Sequence, residues 1–283
     1  MSIPHHTTIT ALRFLFTLAL VLPGIARSQL VEEVPFITTP DNVTLEMLQA
    51  ARVGPTDHVI DLGSGDGRIV IVAAKRFGAT GLGVEIVPDL VERSLRSARE
   101  AGVAGKVDFK VQDLFQTDLS PATVITMYLL PEFNLKLRPA LLALKPGTRI
   151  VSHDWDMGDW KPDETTVVAV PDKKVGLEKS SKVHLWTVPA RIEGLWCGTG
   201  PLGDFSLRVT QRYQEVEATL TRGERARAIQ GRMAGAVLRT QATRHGSMEL
   251  TQEGAQLRVT GGDGALAMAS GTAFQRARGA GCS

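Results

Sequence analysis

One seven-residue stretch constrains this chain more than any other. Asp61-Leu62-Gly63-Ser64-Gly65-Asp66-Gly67 follows an apolar run, His58 to Leu62, and precedes a helical pattern through Ile69, Val72, Ala73 and Phe77. Glycines at such a strand-to-helix turn let backbone pass close to a bound ligand, where a Cβ would intrude. A dinucleotide fingerprint wants its third glycine at position 68, and this chain has Arg68 there. The pattern is instead Gly-x-Gly-x-Gly preceded by an acid, which disfavours a nicotinamide-dependent oxidoreductase.

The acids around the turn extend this reading. Glu85 ends the strand-like run Gly81 to Ile86, where a carboxylate can accept hydrogen bonds from both hydroxyls of a ribose. Asp113 closes the run Lys106 to Gln112, where it can accept from an adenine amino group while Leu114 packs on the ring. A methionine-bearing nucleoside has no pyrophosphate for a helix N-terminus to hold. The turn of Gly63, Ser64, Gly65 and Gly67 then need only clear it, and Asp61 can face its amino acid end. The competing account is a plain turn whose acids are helix caps or surface charge.

Helical and strand-like runs alternate from Thr39 to Val188, which is the rhythm of a parallel sheet. Thr39-Pro40-Asp41-Asn42 reads as a helix start, with Thr39 as N-cap and Pro40 in the first helical position. Further helices are expected at Pro88 to Ala101 and Glu132 to Leu144, and a strand at Thr123 to Leu130. The last two of seven strands, Thr165 to Val170 and Lys182 to Val188, have no helix between them and should form an antiparallel edge. The expected fold is a doubly wound α/β sheet over residues 29–189. After Pro189 short runs of period two alternate with the turn signals Gly246-Ser247, Glu253-Gly254 and Gly261-Gly262, predicting a small all-β sandwich or barrel over 190–283.

Residues 34–188 resemble the class I, seven-strand S-adenosylmethionine-dependent methyltransferases with their Rossmann-like sheet. Asp61 to Gly67 is similar to that superfamily's first motif and Glu85 to its second. Val34-Pro35-Phe36-Ile37-Thr38-Thr39-Pro40, the stretch Asp61 to Ile69, and Gly83-Val84-Glu85 further resemble the small lysine methyltransferases that include the ATP synthase c-subunit enzyme. The resemblance implies S-adenosylmethionine as cofactor, N-methylation of a protein lysine as the reaction, and a cover over the donor formed by Thr38, Thr39 and Pro40. A small-molecule amine stays open as acceptor.

The acceptor side of this fold lies at the end of the fourth strand, here Met127 to Asn134. Amine methyltransferases often carry Asn or Asp and then Pro-Pro-Tyr at this point. This chain has Tyr128 before the loop and Leu129-Leu130-Pro131 inside it, so Tyr128, Pro131 and Asn134 are the catalytic candidates. Tyr128 reads equally well as a core aromatic. His153-Asp154-Trp155-Asp156 follows the fifth strand and would open on the same cleft, which makes His153, Asp154 and Trp155 substrate-side candidates. Their spacing is not that of a zinc motif, so no metal is expected.

A formal charge of +2 gives no field that would argue for nucleic acid as a partner, and the Arg-rich stretch Arg222 to Arg244 reads as a solvated face. Arg13, the apolar run Phe14 to Leu22, Pro23-Gly24 and Ala26-Arg27-Ser28 predict a signal peptide over 1–28 and export to a periplasm or beyond, with a cytoplasmic form as the alternative. The run is shorter than the roughly 20 residues of a permanent transmembrane helix. Cys197 and Cys282 can be one disulfide or two thiols. Export would separate the protein from a donor made in the cytosol. That conflict gives weight to a second role, a non-catalytic binding protein of the same fold acting through its β domain.

Overall fold

The computed structural model describes residues 1–2, 37–174 and 177–282. The expected signal peptide, and Val34 to Phe36 of the N-terminal motif, lie outside the described residues. From Ile37 onward the chain forms one compact unit.

Its first half contains β1 His58–Leu62, β2 Thr80–Glu85, β3 Val107–Val111, β4 Val124–Met127, β5 Arg149–His153, β6 Glu164–Ala169 and β7 Ser180–Thr187, with helices α1 Asp41–Ala50, α2 Arg68–Phe77, α3 Pro88–Glu100 and α4 Pro131–Leu141. The strands make one sheet in the order β3-β2-β1-β4-β5-β7-β6. The first five run parallel, and β7 lies antiparallel to both β5 and β6, giving the expected edge. Alternation along β1 sends Ile60 and Leu62 to a core shared with Leu137 and Leu141 of α4, and Val59 to one shared with Met47 of α1 and Ile69 of α2. Strand order reverses between β1 and β4, where a crevice opens beyond the carboxyl ends of the strands.

Helix α4 starts one residue earlier and ends three earlier than expected, and two further departures bear on the site. Helix α1 begins at Asp41, so Pro40 rather than Thr39 is its N-cap residue, and no side chain caps it. The Thr39 hydroxyl is taken instead by His153 Nδ1, 3.2 Å away. Strand β4 ends at Met127, which leaves Tyr128 to Leu130 as a loop at the crevice.

The second half is a closed barrel. Strands β8 Gly194–Gly198, β9 Phe205–Arg212, β10 Glu215–Arg222, β11 Arg225–Ala234, β12 Val237–Thr240, β13 Met248–Glu253, β14 Gln256–Gly262 and β15 Ala273–Arg276 pair around a ring in which β15 meets β8. Closure removes the sheet edges that a short meander would expose. The lumen is filled by side chains, among them Trp196, Met233, Leu250, Leu257 and Phe274, so it is a packed core. Gly261-Gly262 is not a hairpin turn as expected. Both residues belong to β14, opposite Glu249 and Met248, beside a register shift at Glu249 and Leu250. A Cβ on Gly262 would stand 3.0 Å from the Ser247 carbonyl oxygen, so close backbone approach explains the glycine.

Cys197 on β8 is bonded to Cys282 of the tail, with Cα atoms 5.4 Å apart and a sequence separation of 85. Closing a loop of that length restricts the unfolded chain and contributes about 4 kcal/mol. Three exposed arginines of β10 to β12 pair with acids: Arg222 with Asp204, Arg239 with Glu249, and Arg232 with Glu215 and with Asp163 of the first half. No helix among the described residues is long and apolar enough to cross a membrane.

Candidate functional site

The glycine turn leaves β1 through a backbone that only glycine adopts without strain. Gly63, Gly65 and Gly67 have φ of 73°, 53° and 77°. The amides of Gly63 and Ser64 both donate to the Val84 carbonyl at 2.9 Å, which pins the turn to β2. From α3, Ser94 Oγ donates to the Gly65 carbonyl at 3.0 Å. Ser64 is buried with its hydroxyl unpaired, and that oxygen would meet a Cβ at Gly83 at 2.6 Å.

Glu85 closes the turn from the next strand. Its Oε2 accepts from Gly65 N at 3.0 Å, and its Oε1 from Ile86 N at 2.8 Å and Val87 N at 3.1 Å. The Gly65 contact is the one that bridges to the turn, and the carboxylate keeps acceptor capacity to spare. Asp113 stands at the end of the connection after β3, where it caps a short 3₁₀ turn by accepting from Phe115 N at 2.9 Å and from Gln116 Nε2 at 3.3 Å. Leu114 lies half-buried beside it, and the exposed Ile86 and Val111 add apolar surface at the same strand ends.

Asp61 sits in the floor of this site, 2% exposed, accepting from Thr126 Oγ1 at 2.7 Å across the β1–β4 pair. Burial pushes its carboxyl up to about 7, against the Thr126 hydrogen bond, and the nearby Glu85 and Asp66 charges push the same way. The folded state therefore holds a proton that the unfolded chain has lost, and stability falls as pH rises from the ordinary carboxylate range toward 7. Asp61→Asn keeps an acceptor for Thr126 without the charge. Thermal melts without ligand should place this variant above the wild type at pH 8 and level with it at pH 4.

On the acceptor side the structure makes two groups. The first gathers Thr39, Tyr128, His153 and Asp154 on the α1 face, at the carboxyl ends of β4 and β5. Tyr128 stacks on His153 with ring centroids 3.9 Å apart. His153, 1% exposed, is bracketed by Thr39 Oγ1 at 3.2 Å and Ser181 Oγ at 2.9 Å. Burial drives the imidazole down to about 4, against the neighbouring Asp154 charge, so the ring is neutral at pH 7. Asp154 holds a left-handed backbone, φ 62°, because its Oδ1 accepts from Lys182 N at 2.9 Å and its Oδ2 from Lys173 Nζ at 2.8 Å. Burial opposes its ionisation, but these donors outweigh it and keep the carboxyl below its ordinary range. Burial and the Asp154 charge raise the Tyr128 phenol.

The second group lies on the α4 face. Asn134 is fully buried, and its Nδ2 donates to Trp155 O at 3.2 Å and Asp156 O at 3.3 Å, while its Oδ1 has no partner. Asn134 thus stands behind the loop after β5, and Trp155 projects from that loop as an exposed indole. Pro131 opens α4 at the crevice with Leu130 exposed before it. Thr38 is exposed, and the Thr39 carbonyl accepts from Arg68 NH1 at 2.9 Å. Arg68 also grips Asp66 through Nε at 2.9 Å, so it straps the segment before α1 to the glycine turn. Ser94, Thr126, Lys173 and Ser181 carry no signal in the sequence, because each acts on a partner set by the fold and not by a motif; Arg68 is visible there only as the break in the dinucleotide fingerprint.

A nucleoside with an amino acid tail fits this construction: backbone cleared by glycines, a buried carboxylate at each of β1 and β2, and apolar walls at the strand ends. The family model of the ANTKMT methyltransferase domain matches residues 61–164. A protein-lysine N-methyltransferase of Saccharolobus islandicus is 43% identical over 144 residues, which is 50% of this chain and 88% of that protein. The chain belongs to this methyltransferase family. The lysine N-methyltransferase of the ATP synthase c-subunit from Mus musculus is 37% identical over 116 residues, and the match spans 41% of this chain and 45% of that protein, a little under half of its length. A crystal structure described as an RNA methyltransferase from Salinibacter ruber, in complex with S-adenosyl-L-homocysteine, is 52% identical, with 55% of this chain and 96% of that chain covered at a TM-score of 0.50.

The methyltransferase is thus an enzyme that uses S-adenosylmethionine, and the oxidoreductase and non-catalytic alternatives fall away. Asp61 and the turn Gly63 to Gly67 would hold the methionine end of the donor, Glu85 the ribose, and Asp113 with Leu114 the adenine. Among the described residues no cluster of three or more His, Cys, Asp or Glu could hold a metal ion.

Proposed function

We propose that this methyltransferase transfers a methyl group to the Nζ of a lysine in a protein substrate. The observation that carries this reading is the 43% identity to a protein-lysine N-methyltransferase across 88% of that protein. S-adenosylmethionine supplies an electrophilic methyl on a sulfonium. The chain's own residues must then orient the amine, exclude water and favour its uncharged form. Removing the proton of an ordinary lysine at pH 7 costs about 4 to 5 kcal/mol. Tyr128 stacked on a neutral His153 offers an uncharged aromatic surface that reduces this cost by disfavouring the ammonium.

The 52% identity to a chain described as an RNA methyltransferase favours a second reading, with RNA as acceptor. Lysine blocking separates the two. Cell extract is incubated with the protein and isotopically labelled S-adenosylmethionine, once untreated and once after acetylation of all protein amines, which leaves no nucleophilic lysine nitrogen. Label should enter the protein fraction of the first and drop to background in the second. Label that persists after blocking, or is removed by ribonuclease, contradicts the lysine reading.

Export is likewise proposed. The Cys197–Cys282 bond supports an oxidising compartment, and so does the segment Arg13 to Ser28.

A further inference from the structure

The loop after β5 is gripped from two sides, and one of them is the barrel. From the sheet side, Asn134 holds the Trp155 and Asp156 carbonyls, and Arg138 donates to the Met157 carbonyl at 2.8 Å. From the barrel comes the tip of the β9–β10 hairpin, Tyr213-Gln214. Gln214 is 3% exposed; its Oε1 accepts from Trp160 Nε1 at 2.9 Å and its Nε2 donates to the Lys161 carbonyl at 2.7 Å. Tyr213 stacks on Trp160 at 6.0 Å between centroids, and its hydroxyl donates to Asp159, which also accepts from Arg212 at 2.9 Å. Trp160 is in turn tied to the sheet, because Trp186 Nε1 on β7 donates to its carbonyl at 2.9 Å.

The backbone at the hairpin tip is a costly one for the residue it carries. Tyr213 has φ 54°, a left-handed backbone that glycine or asparagine adopts at less cost in a hairpin turn. A tyrosine there has use for its ring and hydroxyl, and both are engaged by the loop. The match to the family model ends at residue 164, so the gripping hairpin lies outside the matched residues.

We propose that the barrel is an acceptor-positioning domain, in which Gln214 and Tyr213 fix the loop Asp154 to Asp163 and through it the stance of Trp155 at the cleft. The inference rests on the proposed transfer to a protein lysine. Gln214 and Tyr213 are positioning residues and leave the donor half alone, which is built on β1, β2 and β3 beyond β4. An acceptor should therefore feel their loss while the donor does not.

Two full-chain variants test this: Gln214→Ala, and Asp159→Asn, whose exposed side chain puts folding at little risk. Each is measured by titration calorimetry with S-adenosylhomocysteine, by amide-hydrogen exchange over residues 155–162, and by labelled transfer into increasing amounts of soluble-protein extract. In Gln214→Ala, exchange and the half-saturating extract concentration should both rise about tenfold, the size expected when a buried hydrogen-bond pair is unmade. Maximal rate and S-adenosylhomocysteine affinity should stay within about twofold of wild type, and Asp159→Asn should shift the same two quantities by less. Unchanged exchange or half-saturation overturns the proposal, as does donor affinity falling in step with transfer. If the wild type binds S-adenosylhomocysteine yet labels no protein, the lysine reading fails by itself. The exchange arm still decides whether the barrel grips the loop.

Discussion

Replacing Glu85 by alanine should weaken S-adenosylhomocysteine binding about 100-fold or more in titration calorimetry, with the fold retained. The carboxylate is held by the amides of Gly65, Ile86 and Val87, so it is placed before any ligand arrives. Charge-assisted hydrogen bonds contribute about 1.5 to 3 kcal/mol each, and two ribose hydroxyls lost together amount to at least that factor. Glu85→Gln, which keeps an acceptor oxygen but no charge, should fall between. An alanine variant whose affinity stays within about threefold of wild type would remove Glu85 from the donor site.

The second large effect is structural. Gly67→Ala should cost about 2 to 5 kcal/mol in chemical denaturation, because two penalties coincide. At φ 77° a side chain strains the backbone, and the new Cβ would stand 2.7 Å from the Phe109 ring and 2.8 Å from Ser94 Cβ. Phe109→Leu in the same chain should recover the Phe109 part of the clash and leave the Ser94 and backbone parts. A variant as stable as wild type would mean that the turn has room that the geometry denies it.

The glycine turn and Glu85 were legible in the sequence because the chemistry is local: a strand, a tight bend and an acid at the next strand end leave a contiguous signature. The sheet was legible for the same reason, each strand being an apolar run bounded by turn residues. Thr39 looks like a cap in sequence, yet its hydroxyl is claimed by His153, 114 positions away. Asn134 reads as a catalytic candidate in sequence, and its buried amide clamping the next loop depends on a tertiary pairing no window of sequence contains. Closure of the barrel was equally hidden. Strands β11 and β12 carry arginines at exposed positions and few large apolar residues, so period two is faint in them. Gly261-Gly262 mimics a turn while serving a crowded strand pair.

The most direct measurement is mass spectrometry of extract proteins after incubation with the folded methyltransferase and S-adenosylmethionine bearing a heavy methyl group. Peptides carrying the heavy methyl on lysine, absent when the Glu85→Ala variant replaces the wild type, are the expected result. Heavy methyl confined to RNA, to small amines or to other side chains, from protein that binds S-adenosylhomocysteine, would contradict the account.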